Sequence, residues 1–297
     1  MDKDKLIENI DSLDDKASVV LKLGHKYSSG YLFYEADMSN DIQKEIISFY
    51  KEELLELLQK NEIVDFNPIG KEDETVEFIC SNEVDGYNQM KINYDNAVAL
   101  EDLGTKNFYV LDIVKDELNL KLFRRYSKNK TLSKGTLYKI FSNQLTRIKE
   151  DVFQIDNRVD FMIVNDTDII IFDRYSFEII TNYKSNYIKN MNDALEIIKE
   201  SELISNFEMF SNDCNSSIKI AKQFTKAMQN NSISLIINNK DKIRAAINEA
   251  ALPIDFVNGQ FIYEDKEHLS ILIALLSDKY AKTLITERIT DGDKIKD

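Results

Sequence analysis

Asn107 to Arg125 reads NFYVLDIVKDELNLKLFRR, and the fold class turns on it. Phe108, Val110 and Val114 alternate with Tyr109, Leu111 and Ile113, so both faces of the first run are largely apolar. That suits a central strand, covered on both sides, better than an edge strand. Asp116-Glu117 supplies a turn. Leu118, Leu120 and Leu122 then point one way, while Asn119, Lys121, Phe123 and Arg125 point the other, the period-two pattern of a second strand.

Working outward, the same pattern recurs on both sides. Downstream, Thr136 to Phe141 and Gln144 to Ile148 read as strands. Val159 to Val164 and Asp168 to Phe172 flank Asn165-Asp166-Thr167, a hairpin signal. Upstream, Thr75 to Cys80 is a strand candidate and Asp85-Gly86 a turn, while Ser18 to Leu23 and Tyr31 to Ala36 form a hairpin through Ser28-Ser29-Gly30. A short helix opens the chain. Ser39 to Lys60 is a longer one, with Ile42, Ile46, Tyr50, Leu54, Leu57 and Leu58 on one stripe and Ser39 placed as N-cap.

From Ser176 helices dominate. Asn192 to Phe210 reads as one broken helix and Asn215 to Asn230 as another, with Ile218, Ala221, Phe224 and Met228 inward. Phe256 to Phe261 brackets Asn258-Gly259, suited to a type I′ turn, and Asp265 can cap a helix over Lys266 to Lys279. The expectation is an α+β protein: a β-rich middle of mostly antiparallel sheet, a helical N-terminal element and a helix-dominated C-terminal third. The compositional shift divides it into 1–175 and 176–297.

Charge narrows the function classes. The chain of 297 residues carries 52 acids against 38 bases, a formal net charge of -14, which disfavours indiscriminate nucleic-acid binding. Yet Leu118 to Lys149 holds nine bases and no acid: Lys121, Arg124, Arg125, Lys128, Lys130, Lys134, Lys139, Arg147 and Lys149. Lys and Arg supply phosphate charge, Arg a bidentate fork, and Phe123, Tyr126, Tyr138 and Phe141 faces for bases. Lys219, Lys222 and Lys226 share one face of a later helix and head a second, weaker basic region. The competing reading is that these bases neutralise the acidic remainder, within the fold or across an interface.

Other chemistries have less support. Asp160, Asp166, Asp168, Asp173 and Glu178 cluster as a metal-dependent nuclease would require, but Asp166 and Asp168 flank a turn, where backbone reasons explain them. His25 and His268 read as a surface or pairing residue and a structural one, so a Ser or Cys nucleophile lacks an evident base. Phosphate-loop and dinucleotide fingerprints are absent, and no catalytic residue, metal or other cofactor is expected. Cys80 and Cys214 read as buried thiols of a reducing compartment. The polar start MDKDKLIENIDSLDDK is unlike a signal peptide, and the apolar runs fall short of a membrane span. A cytoplasmic protein without direct membrane insertion is expected.

LKLFRRYSKNKTLSKGTLYKIF at 120–141, VDFMIVNDTDIIIFDRYSFEIITNY at 159–183 and LLSDKYAKTLITERIT at 275–290 carry a resemblance. Their hydrophobic, aromatic and basic pattern is similar to the KwaB-like family of the bacterial Kiwa anti-phage defence system. The resemblance implies a homodimeric, DNA-binding defence effector working with a membrane-embedded Kiwa partner and hindering phage DNA replication or transcription. It supplies no catalytic residues. The DNA-contacting set, Lys121, Arg124, Arg125, Lys128, Lys130 and Lys134 with Lys219, Lys222 and Lys226, comes from charge and spacing. Lys121, Arg125, Lys128 and Lys130 are expected exposed and unpaired. Two rivals stand: a nuclease using the 160–178 carboxylates, and an adaptor whose basic strip docks an acidic partner.

Overall fold

The structure is a computed structural model that describes residues 2–28, 30–103, 106–126, 137–141, 144–148, 155–282 and 289–291. The chain divides into two compact units, 1–66 with 71–183 and 67–70 with 184–297. The first contains α1 (Lys3–Asp11), β1 (Ser18–Tyr27), β2 (Gly30–Ala36), α2 (Asn40–Lys60), β3 (Glu62–Asp65), β4 (Thr75–Cys80), α3 (Asp85–Tyr94), β5 (Phe108–Lys115), β6 (Leu118–Arg125), β7 (Leu137–Phe141), β8 (Gln144–Ile148), β9 (Phe161–Val164), β10 (Asp168–Ile171) and α4 (Arg174–Ile180).

Eight of these strands form one sheet in the order β2-β1-β5-β6-β9-β10-β4-β3, and β7 pairs separately with β8. Every pairing in the large sheet is antiparallel except β3 with β4. The architecture is therefore α+β with a mostly antiparallel β-rich middle. As the doubly apolar pattern of β5 requires, that strand lies inside the sheet, between β1 and β6.

Leu118, Leu120 and Leu122 of β6 join Tyr109, Leu111 and Ile113 of β5 in a core that also takes Leu6 and Ile10 of α1 and Ile46, Ile47, Tyr50, Leu54 and Leu58 of α2. Ile42, placed on that stripe by spacing, is exposed instead. The opposite face is aromatic. Phe123 stacks on Phe161 at 4.4 Å, and Phe177 of α4 meets Phe161 edge-on at 5.4 Å. Pairs of this kind contribute about 0.5–1.5 kcal/mol beyond their buried area.

Local chemistry explains the connections. Asn165 and Asp166 both adopt left-handed backbone (φ 51° and 60°), the type I′ requirement, and close the β9–β10 hairpin. Asn119 N–H donates to Asn165 Oδ1 at 2.8 Å, tying this turn to β6. Asp173 caps α4 by accepting from Ser176 N–H at 2.7 Å. Asp85-Gly86 is not a turn but the start of α3. A Cβ on Gly86 would lie 1.5 Å from the Thr181 carbonyl oxygen, so this close approach of α3 to the end of α4 requires glycine. Ser39 occupies the N-cap position of α2 without a side-chain capping bond.

The second unit contains α5 (Lys184–Glu200), α6 (Phe207–Cys214), α7 (Ile218–Gln229), α8 (Ser232–Asn238), α9 (Lys240–Glu249), β11 (Phe256–Val257), β12 (Gln260–Phe261), α10 (Glu267–Leu276), β13 (Tyr280–Lys282) and β14 (Ile289–Asp291). The expected broken helix is two separate ones, because Glu202 and Asn206 turn left-handed between α5 and α6. Asn258 and Gly259 (φ 53° and 83°) form the anticipated tight turn of β11–β12. Asp265 Oδ1 accepts from Glu267 N–H at 2.8 Å, and the helix it caps ends at Leu276, ahead of left-handed Asp278.

Candidate functional site

The basic strand β6 presents alternate bases to opposite faces of the sheet, and their environments differ. Lys121 lies opposite Asp112 of β5, with Ile163 of β9 on its other side. It is only 7% exposed and ion-paired with Asp166, the second residue of the β9–β10 turn. This corrects the expectation that Lys121 is exposed and unpaired. Strands cover both its flanks and α3 lies over its head, so the ammonium needs an internal counter-charge.

Lys22 of β1 joins the same buried cluster, with its ammonium 4.2 Å from the Tyr94 ring; Lys121 approaches that ring at 5.0 Å. Lys22 Nζ donates to the Tyr94 carbonyl at 3.0 Å and lies 3.5 Å from Asp95 and 3.6 Å from Glu35. Tyr94 O–H donates to Asp112 Oδ2 at 3.3 Å, and Tyr87 O–H to Asp166 Oδ1 at 2.6 Å. Burial pushes the Asp112 carboxyl above its ordinary value, with the nearby lysines opposing. At Asp166 burial pushes upward too, but the Lys121 ammonium, the Tyr87 hydroxyl and Lys91 outweigh it and the net direction is down. Burial raises the Tyr94 and Tyr87 hydroxyls well above their ordinary range.

Arg124 faces α2. Its Nε and Nη2 each donate to Asp156 at 3.0 Å, and Nη1 donates to Asp160 Oδ1 at 2.5 Å. Asp160 is 1% exposed and also accepts from Arg125 N–H at 2.6 Å. Burial raises its carboxyl, against the pull of that N–H and of Arg124. Tyr50 O–H, on α2, donates to the Asp156 carbonyl at 2.6 Å and lies 3.3 Å from the Tyr109 hydroxyl, which burial pushes up to about 12. Arg124 therefore serves as an internal clamp.

Arg125 is different. Half-buried on the α4 side, it places its guanidinium 5.0 Å from the ring centroid of Tyr175. Lys128, Lys130 and Lys134 lie outside the described residues. In the second unit, Lys219 is exposed, while Lys222 and Lys226 are half-buried, Lys222 with its ammonium 4.8 Å from the Tyr187 ring.

The carboxylates do not converge. Asp160 is held by Arg124, Asp166 by Lys121 and Tyr87, and Asp173 caps α4. Among the described residues no group of three or more His, Cys, Asp or Glu is arranged to hold a metal ion. His25 stacks on Tyr27, and His268 lies in the first turn of α10. Burial pushes the Cys214 thiol up to about 12, while Cys80 is half-buried. Sequence reasoning overlooked Lys22, Asp112, Tyr87, Tyr94 and the Arg174–Glu77 ion pair. The legible signal was a charge inside an apolar strand: Lys22 between Leu21 and Leu23, and Asp112 between Leu111 and Ile113.

A family model described as Kiwa protein KwaB-like matches residues 103–286, well over half of the chain, from the residues before β5 to those after α10. No curated protein and no solved structure matches the chain.

Proposed function

The chain belongs to the KwaB-like family of Kiwa anti-phage defence proteins, and on that premise we propose that it is a DNA-binding effector that hinders phage DNA replication or transcription. The observation that carries this reading is the charge reversal. Nine bases and no acid occupy 118–149 of a chain at -14, inside the family match. With Lys121 and Arg124 committed to carboxylates, the proposed phosphate contacts are Arg125, Lys128, Lys130 and Lys134. Lys219, Lys222 and Lys226 form a secondary patch. The acidic remainder confines such contact to these places, because like charge repels DNA elsewhere.

Family membership implies a multi-subunit system, so a partner subunit is part of the reading. In this proposal a homodimer in the cytoplasm is recruited to the inner face of the membrane by a membrane-embedded Kiwa partner. Among the described residues no helix is long and apolar enough to cross a membrane. The internal pairing of Lys121 and Arg124 favours a second reading for part of the strip: charge that assembles the fold.

Salt dependence separates the readings. Each phosphate contact contributes about -0.9 to the slope of log affinity on log salt. With roughly four to six contacts, affinity for duplex DNA falls on the order of a hundredfold or more between ~50 and ~200 mM salt. Replacing Arg125 and Lys128 by Ala weakens binding similarly across sequences and makes the slope shallower by about two units, with the melting temperature little changed. An unaltered slope in a destabilised double variant would overturn the DNA-strip reading.

A further inference from the structure

We infer that Arg125 and Tyr175 form a stacking platform for an unpaired nucleobase, so that the DNA taken by this protein is single-stranded or locally opened. The inference rests on the DNA-binding reading above and names the form of the ligand. Most described tyrosines of the same unit, Tyr31, Tyr50, Tyr87, Tyr94 and Tyr109 among them, are buried, whereas Tyr175 is 66% exposed, more than Tyr27 at 41%. An exposed tyrosine is ordinary in isolation. This one is covered on one side by the guanidinium of Arg125, at 5.0 Å from the ring centroid. Among the described residues no carboxylate takes that guanidinium.

Both halves of the platform are held from behind. The Arg125 N–H is fixed by Asp160, itself locked by Arg124. Tyr175 lies in the first turn of α4, which Asp173 caps, Arg174 ties to Glu77 and Phe177 anchors on Phe161. In the sequence Arg125 heads a basic run, with Lys128, Lys130 and Lys134 within the next nine positions. A π-face adds nothing to a phosphate. It binds another π-face, and in a duplex both faces of a base are taken by its neighbours. An aromatic beside cations is the arrangement that stacks unpaired bases with little sequence preference.

The test compares oligothymidylate with an abasic oligomer of equal length, which keeps the phosphates and lacks the bases. Tyr175→Ala is expected to lose affinity for oligothymidylate on the order of tenfold, to keep its affinity for the abasic oligomer and to keep the salt slope. Tyr175→Phe retains binding to both. The chain contains no tryptophan, so Tyr175→Trp installs a sole indole at the platform. Oligothymidylate should quench its fluorescence and the abasic oligomer should not. Equal losses on both oligomers, or an unquenched indole in a protein that binds oligothymidylate, overturn the platform and leave the DNA reading standing. Absence of salt-dependent binding to either oligomer and to duplex overturns both.

Discussion

Arg124 of β6 holds two carboxylates at once, Asp156 and Asp160. Its guanidinium is the counter-charge of Asp160, a carboxylate almost wholly withdrawn from water. Breaking such a pair from one side strands a buried charge and costs about 3–5 kcal/mol. Arg124→Ala should therefore melt far below the parent, and adding Asp160→Asn should recover part of the loss, because a neutral amide tolerates burial better. A thermal melt of the single and double variants decides this; a mild single variant would refute the clamp. Lys121→Ala should cost less, about 1–3 kcal/mol, since the Asp166 left behind is half-exposed, and it should leave the DNA salt slope alone.

The two acids beside Lys121 respond to pH with opposite sign. Asp166 is held below its ordinary value, so its contribution to stability is present above about pH 4 and lost as pH falls through its folded value. Asp112 is raised, so the fold loses stability as pH rises from the ordinary carboxylate value through the folded one. Asp166→Asn should lower the melting temperature at neutral pH, with the deficit closing in acid. Asp112→Asn should melt at or above the parent at neutral pH, the difference again closing in acid. Melts across pH that showed the two variants shifting alike would contradict this assignment.

At the scale of elements, the register of α3 against α4 depends on one missing methyl. Gly86 meets the Thr181 carbonyl so closely that any Cβ must displace one helix end or the other. Gly86→Ala should cost about 1–3 kcal/mol or more and loosen the cover that Tyr87 and Tyr94 of α3 form over Lys121. Gly70 has open space around its Cβ position and φ outside the left-handed region, so Gly70→Ala should be silent. Chemical denaturation of the pair reads the contrast directly. The β9–β10 hairpin is a second such device: its left-handed Asn165 and Asp166 shape the turn, and the same Asp166 then pairs with Lys121. Turn chemistry and charge pairing thus converge on one residue.

For the molecule as a whole, the five carboxylates of 160–178 are the test between binder and enzyme. Asp160, Asp166 and Asp173 have internal partners that explain them. Complexes with DNA should therefore survive chelation of divalent cations by EDTA, and supercoiled plasmid should remain uncut when Mg²⁺ is present. Magnesium-dependent nicking that Asp168→Asn abolishes in a folded protein would move the assignment to a nuclease.

What the sequence determined by itself is what local rules encode. Alternation in 108–114 and 118–125 placed two adjacent strands, Asn165-Asp166 and Asn258-Gly259 marked tight turns, and helical spacing marked α2 and α7. The motifs of 120–141 and 159–183 carried the family. Tertiary structure alone decided which bases of the strip are spent. Lys121 meets Asp166 and Arg124 meets Asp160 across 45 and 36 residues of chain. Whether a lysine on a strand faces water or a buried carboxylate depends on what packs over that strand: α3 covers Lys121, while Arg125 lies against the ring of Tyr175. Periodicity is a property of neighbours in sequence. Desolvation and ion pairing belong to neighbours in space, and those are fixed only once the sheet has closed around them.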